Sequence, residues 1–348
     1  MIKYSFKNDY SEGAHPNILH ALISTNLEQQ DGYGGDVYCH KASSIIKERL
    51  NSPNSDIHFV SGGTQANLIV ISSILRPYES VIAASTGHIN THETGAIEAT
   101  GHKINTVEKE DGKLTAKDIE QILIGHTDEH MVKPRMVYIS NSTEIGTVYT
   151  KNELEEIYNY CRQNDLYLFL DGARLGSAIC ARDNDMTIEG LCKLVDVFYI
   201  GGTKNGALIG EAIVINNDRI KENFRFNMKQ KGALLAKGRL LGLQFYELFK
   251  DGLYFELAKH ANSMAAMLSS EFERLGYTFL TESTSNQIFP ILPNNIIDKL
   301  NEMYAFYTWS SIDDKNSSIR LVTSWATKEE SVSSFIEDLR RLTNEFSK

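Results

Sequence analysis

Apolar and polar positions repeat along this chain with two periods, and the switching between them predicts most of its elements. Residues 17–29 put Ile18, Leu19, Leu22, Ile23 and Leu27 on one helical face, and residues 41–50 read as a second helix. Asp56-Ile57-His58-Phe59-Val60 is a short strand, and the apolar run 68–75 suits a buried helix. Further β-rich runs at 80–84, 103–107, 135–140, 167–170 and 195–200 are separated by stretches long enough for helices, among them 150–164 and 187–194. Alternation at this spacing predicts a parallel sheet covered by helices.

The second half of the chain changes character. Residues 219–249 read as one long helix, with Gly232-Ala233-Leu234-Leu235-Ala236-Lys237-Gly238 in its middle, and 251–275 continues as helix. Short strands are expected at 277–280, 287–292, 305–309 and 318–323, and helices at 294–304 and 328–346. The predicted organisation is a polar, turn-rich arm at 1–16, a large α/β unit at 17–250 and a smaller α+β unit at 251–348, sharing a long helix. No internal repeat or low-complexity linker interrupts it.

Ligands of parallel sheets gather beyond the carboxyl ends of the strands, so the residues just after each run are the candidates. Behind Val60 lies Ser61-Gly62-Gly63-Thr64-Gln65-Ala66-Asn67, a glycine turn opening a helix: an anion cradle made of free N–H groups, or a plain helix cap. It lacks the GxGxxG and GK[ST] patterns of nucleotide sites. Gly87-His88-Ile89-Asn90-Thr91-His92-Glu93 follows the next run. His88 and His92 are four apart, but the order is not HExxH and no third ligand accompanies them, so no metal site is expected. Asn141-Ser142-Thr143-Glu144 follows the run ending at Ser140. Asp171-Gly172-Ala173-Arg174 follows five apolar residues, where the acid is either a helix cap or a functional carboxylate.

The most informative stretch is Gly201-Gly202-Thr203-Lys204, between the runs 195–200 and 207–214. It reads as strand, tight turn, strand, with a lysine at the tip. That lysine is either a solvated turn residue or, with small neighbours that admit a ligand, an amine placed to form a Schiff base with a carbonyl compound. Asp31-Gly32-Tyr33-Gly34-Gly35-Asp36 is a glycine loop of the connecting or binding kind, and His130 by itself reads as a loop histidine.

Composition narrows the partners. The 348 residues are 42% hydrophobic and 23% charged, as in soluble globular proteins. A formal charge of -10 argues against nucleic acid or an anionic membrane as partner while leaving room for a small anion at a local positive site. Residues 1–10 lack the continuous apolar core of a signal peptide, and no run is long enough to span a membrane. Four cysteines without CxxC or zinc spacing read as reduced structural thiols, so a cytoplasmic protein is expected.

Taken in order, Asp31-Gly32-Tyr33-Gly34, Gly63-Thr64-Gln65-Ala66-Asn67, His88, Asp171-Gly172-Ala173-Arg174, Thr203-Lys204 and Ile319-Arg320-Leu321-Val322-Thr323 resemble the L-threonine aldolases of low specificity. These are fold-type I pyridoxal-phosphate enzymes of the aspartate-aminotransferase superfamily. The resemblance spans nearly the whole chain. It implies a mostly parallel seven-stranded sheet with a smaller C-terminal domain, pyridoxal 5'-phosphate as cofactor, and cleavage of the Cα–Cβ bond of β-hydroxy amino acids to glycine and an aldehyde.

It also implies roles. Lys204 joins the cofactor aldehyde, Asp171 holds the proton on the pyridine nitrogen, and Gly63 and Thr64 receive the phosphate. Arg174 and Arg320 take the substrate carboxylate. His88 stacks on the ring near the substrate hydroxyl, and His130 is the second active-site histidine. A homotetramer built from dimers is expected, with Tyr33 and residues 232–238 near a neighbour's site. The chain departs from the family pattern at three places: Asn8 stands for a serine that touches the substrate carboxylate, Ser142-Thr143-Glu144 for Thr-His-Asn, and Asn205 for a glycine. These leave open β-elimination on another amino acid, or a non-catalytic or metal-binding protein of the same fold.

Overall fold

The computed structural model describes residues 2–346. Its central sheet has seven strands in the order β2 (Asp56–Val60), β8 (Glu211–Ile215), β7 (Val197–Gly201), β6 (Tyr167–Asp171), β5 (Lys133–Ser140), β3 (Glu79–Ala84) and β4 (Ile104–Val107). Every pairing is parallel except those of β8 with β2 and β7. Strand side chains alternate between faces. Val81, Met136, Tyr138, Phe169, Val197 and Tyr199 therefore enter a core under the helices Gly63–Ile74 and Phe224–Gln230. Their neighbours Ile82, Val137, Ile139, Leu168, Leu170, Phe198 and Ile200 enter the opposite core. Helices Pro16–Ser24, Val37–Arg49, Lys151–Gln163 and Arg239–Lys250 cover that side. The helix expected at 150–164 begins with a capping box, in which Thr150 and Glu153 satisfy each other's backbone N–H groups.

A third core lies around β13 (Asn316–Val322), which pairs with β9 (Gln287–Ile288), β10 (Ile291–Pro293) and β12 (Tyr307–Ser311), all antiparallel. Helices Leu253–Arg274, Asn294–Asn301 and Glu329–Phe346 pack on it. The N-terminal arm joins this core through Phe6 and the core under the helix Pro16–Ser24 through Ala14. Its β1 (Tyr4–Ser5) pairs in parallel with β11 (Tyr304–Ala305), and Phe6 is fully buried against Phe335. Residues 8–10 are thereby carried across to the edge of the central sheet.

Three sequence expectations differ from the structure, each for a local reason. The single helix expected at 219–249 is a 3-10 turn at Asp218–Ile220 and two separate helices, Phe224–Gln230 and Arg239–Lys250. Gly232 turns the chain at φ +70°, and a side chain at Gly238 would press on the backbone of Gly34. The shared long helix is likewise two helices, parted by Gly252 at φ +79°. The strand expected at 277–280 contributes only a bridge from Phe279 to Pro290, whose missing N–H also splits the run 287–292. Among the described residues no helix is long and apolar enough to cross a membrane.

Candidate active site

Strands β2, β3, β5, β6 and β7 end along one edge of the sheet, and β8, running the other way, begins there. A cavity of about 670 Å³ opens beyond this edge, a size suited to a small molecule with its cofactor. The loops that leave these strands supply Gly63, Thr64, His88, Glu144, Arg174 and Lys204, and the start of β8 supplies Glu211. Tyr307, Trp309 and Arg320 close the far wall from β12 and β13, and Tyr10 comes from the arm. A second cleft, of about 790 Å³, lies between the Leu253–Arg274 helix and residues 278–285, and none of the candidate site residues lines it.

Lys204 sits on a pinned turn. Gly202 donates its N–H to Glu211 Oε2 at 2.8 Å, Gly210 donates to Thr203 Oγ1 at 3.0 Å, and Asn205 Nδ2 donates to the Tyr254 carbonyl at 2.7 Å. Asn205 thus ties the turn to the Leu253–Arg274 helix, a role a glycine could not fill. Burial, reinforced by the charge of Arg174, lowers the Lys204 pKa, which enriches the neutral, nucleophilic amine. Burial, with the charge of Asp171 adding to it, pushes Glu211 up to about 7.

Asp171 lies beneath the cavity, 4% exposed, in a set of directed bonds. Tyr199 OH donates to Oδ1 at 2.5 Å, and Tyr138 OH and Asn67 Nδ2 donate to Oδ2 at 2.6 and 3.2 Å. Pleating puts Tyr138, Asp171 and Tyr199 on the same face of neighbouring strands. Asn67 also donates to Glu93 Oε1 at 2.7 Å, and that oxygen lies 2.9 Å from His88 Nδ1. Glu93, its side chain fully buried, thereby fixes the His88 ring and leaves Nε2 as the free ring nitrogen. His88 and His92 lie 5.5 Å apart, and no cluster of three metal-binding side chains exists among the described residues.

The Gly63–Ile74 helix points its first turn at the cavity. Its cap position, Gly62, makes no side-chain hydrogen bond, so the leading N–H groups are left for a ligand. A side chain at Gly63 would meet Tyr199 OH at 2.9 Å. An anion site at a helix start, a held carboxylate below the floor and an amine on the rim, all on one sheet edge, are the donor set that pyridoxal phosphate requires. The residues present fit that group.

The two arginines differ. Arg174 gives Nε and Nη2 to the two oxygens of Asp9 at 2.7 and 3.0 Å. Asp9 is 1% exposed and also receives Asn286 Nδ2 at 2.9 Å. Burial alone would raise the Asp9 pKa, but the charges of Arg174 and Lys204 bring it below its ordinary value of 3.8. Asp9 therefore contributes stability that is full well above pH 3.8 and lost as pH falls through its lower native pKa. Arg174→Ala leaves this carboxylate buried without its ion pair and should cost about 3–5 kcal/mol of unfolding free energy, read by urea denaturation at pH 7. Arg320 is the freer cation. Its guanidinium lies 5.2 and 5.6 Å from the Trp309 and Tyr307 ring centres, Nη2 donates to the Lys7 carbonyl, and Nε is buried without a partner.

Three of the expected site residues lie outside this chain's own cavity. His130 is exposed on the turn before β5, with its N–H on Asp128 Oδ1. The cavity lies at the other end of this eight-residue strand, about 26 Å away at the usual rise per residue. His130 therefore lines no part of this chain's own cavity, because it precedes the strand whereas the residues of that cavity follow it. Asn8 faces its own loop, its Oδ1 accepting from Tyr10 N–H and Ser11 Oγ, and the neighbouring Asp9 and Tyr10 are what reach the site. Tyr33 is 47% exposed, at φ 57°, under the Lys229 ammonium, and lines no part of this chain's cavity.

Sequence reading did not assign Asp9, Asn67, Glu93, Tyr138, Glu144, Tyr199 and Glu211. One signal was available: Glu211 heads an otherwise apolar strand, Ala212-Ile213-Val214-Ile215, where an acid has no packing role.

The chain matches the beta-eliminating lyase family over residues 10–294. It is 34% identical over 340 residues, 96% of both chains, to the low specificity L-threonine aldolase of Pseudomonas sp. (strain NCIMB 10558). To the Pseudomonas aeruginosa protein of the same name it is 33% identical, again over 96% of both. Among solved structures, Leishmania major threonine aldolase superposes with a TM-score of 0.96 at 53% identity, covering 98% of this chain and 99% of that one. A Thermus thermophilus aspartate aminotransferase mutant shares the fold at a TM-score of 0.72 and 15% identity, covering 98% and 91%.

Proposed function

Because the chain belongs to the beta-eliminating lyases and, among them, to the L-threonine aldolases of low specificity, which cleave threonine to glycine and an aldehyde, we propose that the cavity described above is where it does so, with Lys204 as the residue that holds pyridoxal 5'-phosphate. The observation that carries the reading is convergence: Lys204, Asp171 and the start of the Gly63–Ile74 helix meet at one sheet edge, with Arg320 across the cavity. When bound, the cofactor supplies an electron sink for the carbon–carbon bond that breaks. The rest is done by this chain. Gly63 and Thr64 hold the phosphate through backbone N–H groups, and Asp171, oriented by Tyr199, Tyr138 and Asn67, holds a proton on the ring nitrogen. Arg320 takes the substrate carboxylate with its fork of N–H groups, Arg174 and Asp9 brace that wall, and Glu93 keeps the His88 ring as a platform. L-threonine, L-allo-threonine and related β-hydroxy amino acids are the substrates proposed.

Borohydride reduction of cofactor-loaded protein, followed by peptide mass mapping, tests the central residue. Label on the peptide containing Lys204 is expected, and label on another lysine would overturn the assignment.

The proposed assembly is a homotetramer made of two dimers. Leu27, Phe226 and Ile23 are 93%, 77% and 75% exposed, and with Tyr33 they offer the apolar surface that such contacts cover. A fully active monomer in light scattering would refute it. Four free cysteines, three of them buried, fit a reducing compartment, and the cytoplasm is proposed.

A further inference from the structure

Resting on the cleavage reading above, we propose that Glu144 is a catalytic carboxyl that exchanges the proton of the substrate's β-hydroxyl. The other charged groups of the cavity are already committed. Lys204 serves the cofactor and amine, Arg320 the carboxylate, and Arg174 is closed onto Asp9. Glu211 is bound at the lysine's own turn. What remains for the substituent on Cβ is the wall made by the loops after β3 and β5, where His88 and Glu144 face the cavity together. Glu144 is fixed there by two donors on one oxygen, since Ser140 Oγ and the His88 N–H both reach Oε1, at 2.7 and 2.9 Å. His92, on the same wall, is exposed at the rim.

Its surroundings suit proton exchange. Burial raises the Glu144 pKa, and the charge of Asp171 adds to the rise. A carboxyl nearer the working pH is a better base in its ionised form and a better acid in its neutral one. The charged or titratable groups around it are Asp171 and Tyr138 on the sheet, Tyr149 behind it, and Arg174 and His88 in the cavity. In the cleavage direction the hydroxyl proton passes to the Glu144 carboxylate, and the former O–H pair becomes the second C–O bond of the departing aldehyde. The Cα–Cβ pair stays with the glycine fragment, which later takes a proton at Cα. No oxidant or reductant is needed.

Glu144→Gln keeps the size of the side chain and an oxygen to accept from Ser140 and His88, so it isolates the proton. Two readouts are compared in the holoenzyme: kcat for L-threonine, and the affinity for glycine, which has no β-hydroxyl, followed through the cofactor's visible spectrum. Cleavage should fall about 10²- to 10⁴-fold, and glycine affinity should stay within about threefold. The parent's kcat should rise with pH as Glu144 ionises, and this limb should flatten in the variant. Cleavage within threefold of the parent, or an equal loss of glycine affinity, overturns the role of Glu144 alone. A parent protein that binds glycine but releases no aldehyde from threonine overturns the cleavage reading, and this inference with it.

Discussion

Lys204→Ala should lower threonine cleavage on the order of 10³-fold or more, as expected when the group that joins a cofactor covalently is lost. Melting temperature should change little. The lysine projects from a turn whose own bonds run through Gly202, Thr203, Asn205, Gly210 and Glu211, so truncation leaves them in place. Phosphate and ring contacts from Gly63, Thr64 and Asp171 remain, so the variant should still bind pyridoxal phosphate, but reversibly, and borohydride should no longer fix it to the chain. Retained cleavage together with a reducible bond to the variant would mean that a different amine does this work.

The second large effect belongs to Arg320. Arg320→Ala should reduce kcat/KM for threonine by about 2–5 kcal/mol, the range for removing one partner of an enclosed charge pair, which is roughly 30-fold to several thousand-fold. Most of it should appear in KM, because the carboxylate is held alike before and during bond breaking. Arg320→Lys should recover only part, since an ammonium cannot offer the planar fork or stack on Trp309 and Tyr307. Arg174→Ala should differ in kind, with instability as its main symptom, because its Nε and Nη2 are both on the buried Asp9. If Arg320→Ala left KM unchanged, the carboxylate would have to bind elsewhere on the cavity wall.

What was legible in the sequence was the site's frame. The strand at 56–60 coincides with β2, and the alternation of runs gave the parallel sheet and hence the edge at which Gly63, His88, Asp171, Arg174 and Lys204 gather. Periodicity sees only neighbours along the chain. The contacts that complete the site join residues far apart: Asp9 to Arg174 across 165 positions, Asn67 to Asp171 across 104, and Tyr138 and Tyr199 to the same aspartate. Where an apolar run continued through Gly232 and Gly238, the helical period masked a turn that only the backbone angles and the approach of Gly34 reveal. His130 was assigned by resemblance without its position relative to β5. The same topological rule that favours Glu144, after the strand, places His130, before it, outside this chain's own cavity.

The most direct measurement is the product set from L-threonine alone. Loaded with pyridoxal phosphate, the protein should release acetaldehyde and glycine in equal amounts, with no 2-oxobutanoate or ammonia. Ammonia and 2-oxobutanoate in place of acetaldehyde would show that the carbon–oxygen bond breaks instead of the carbon–carbon bond, and would contradict the assignment of this site as an aldolase.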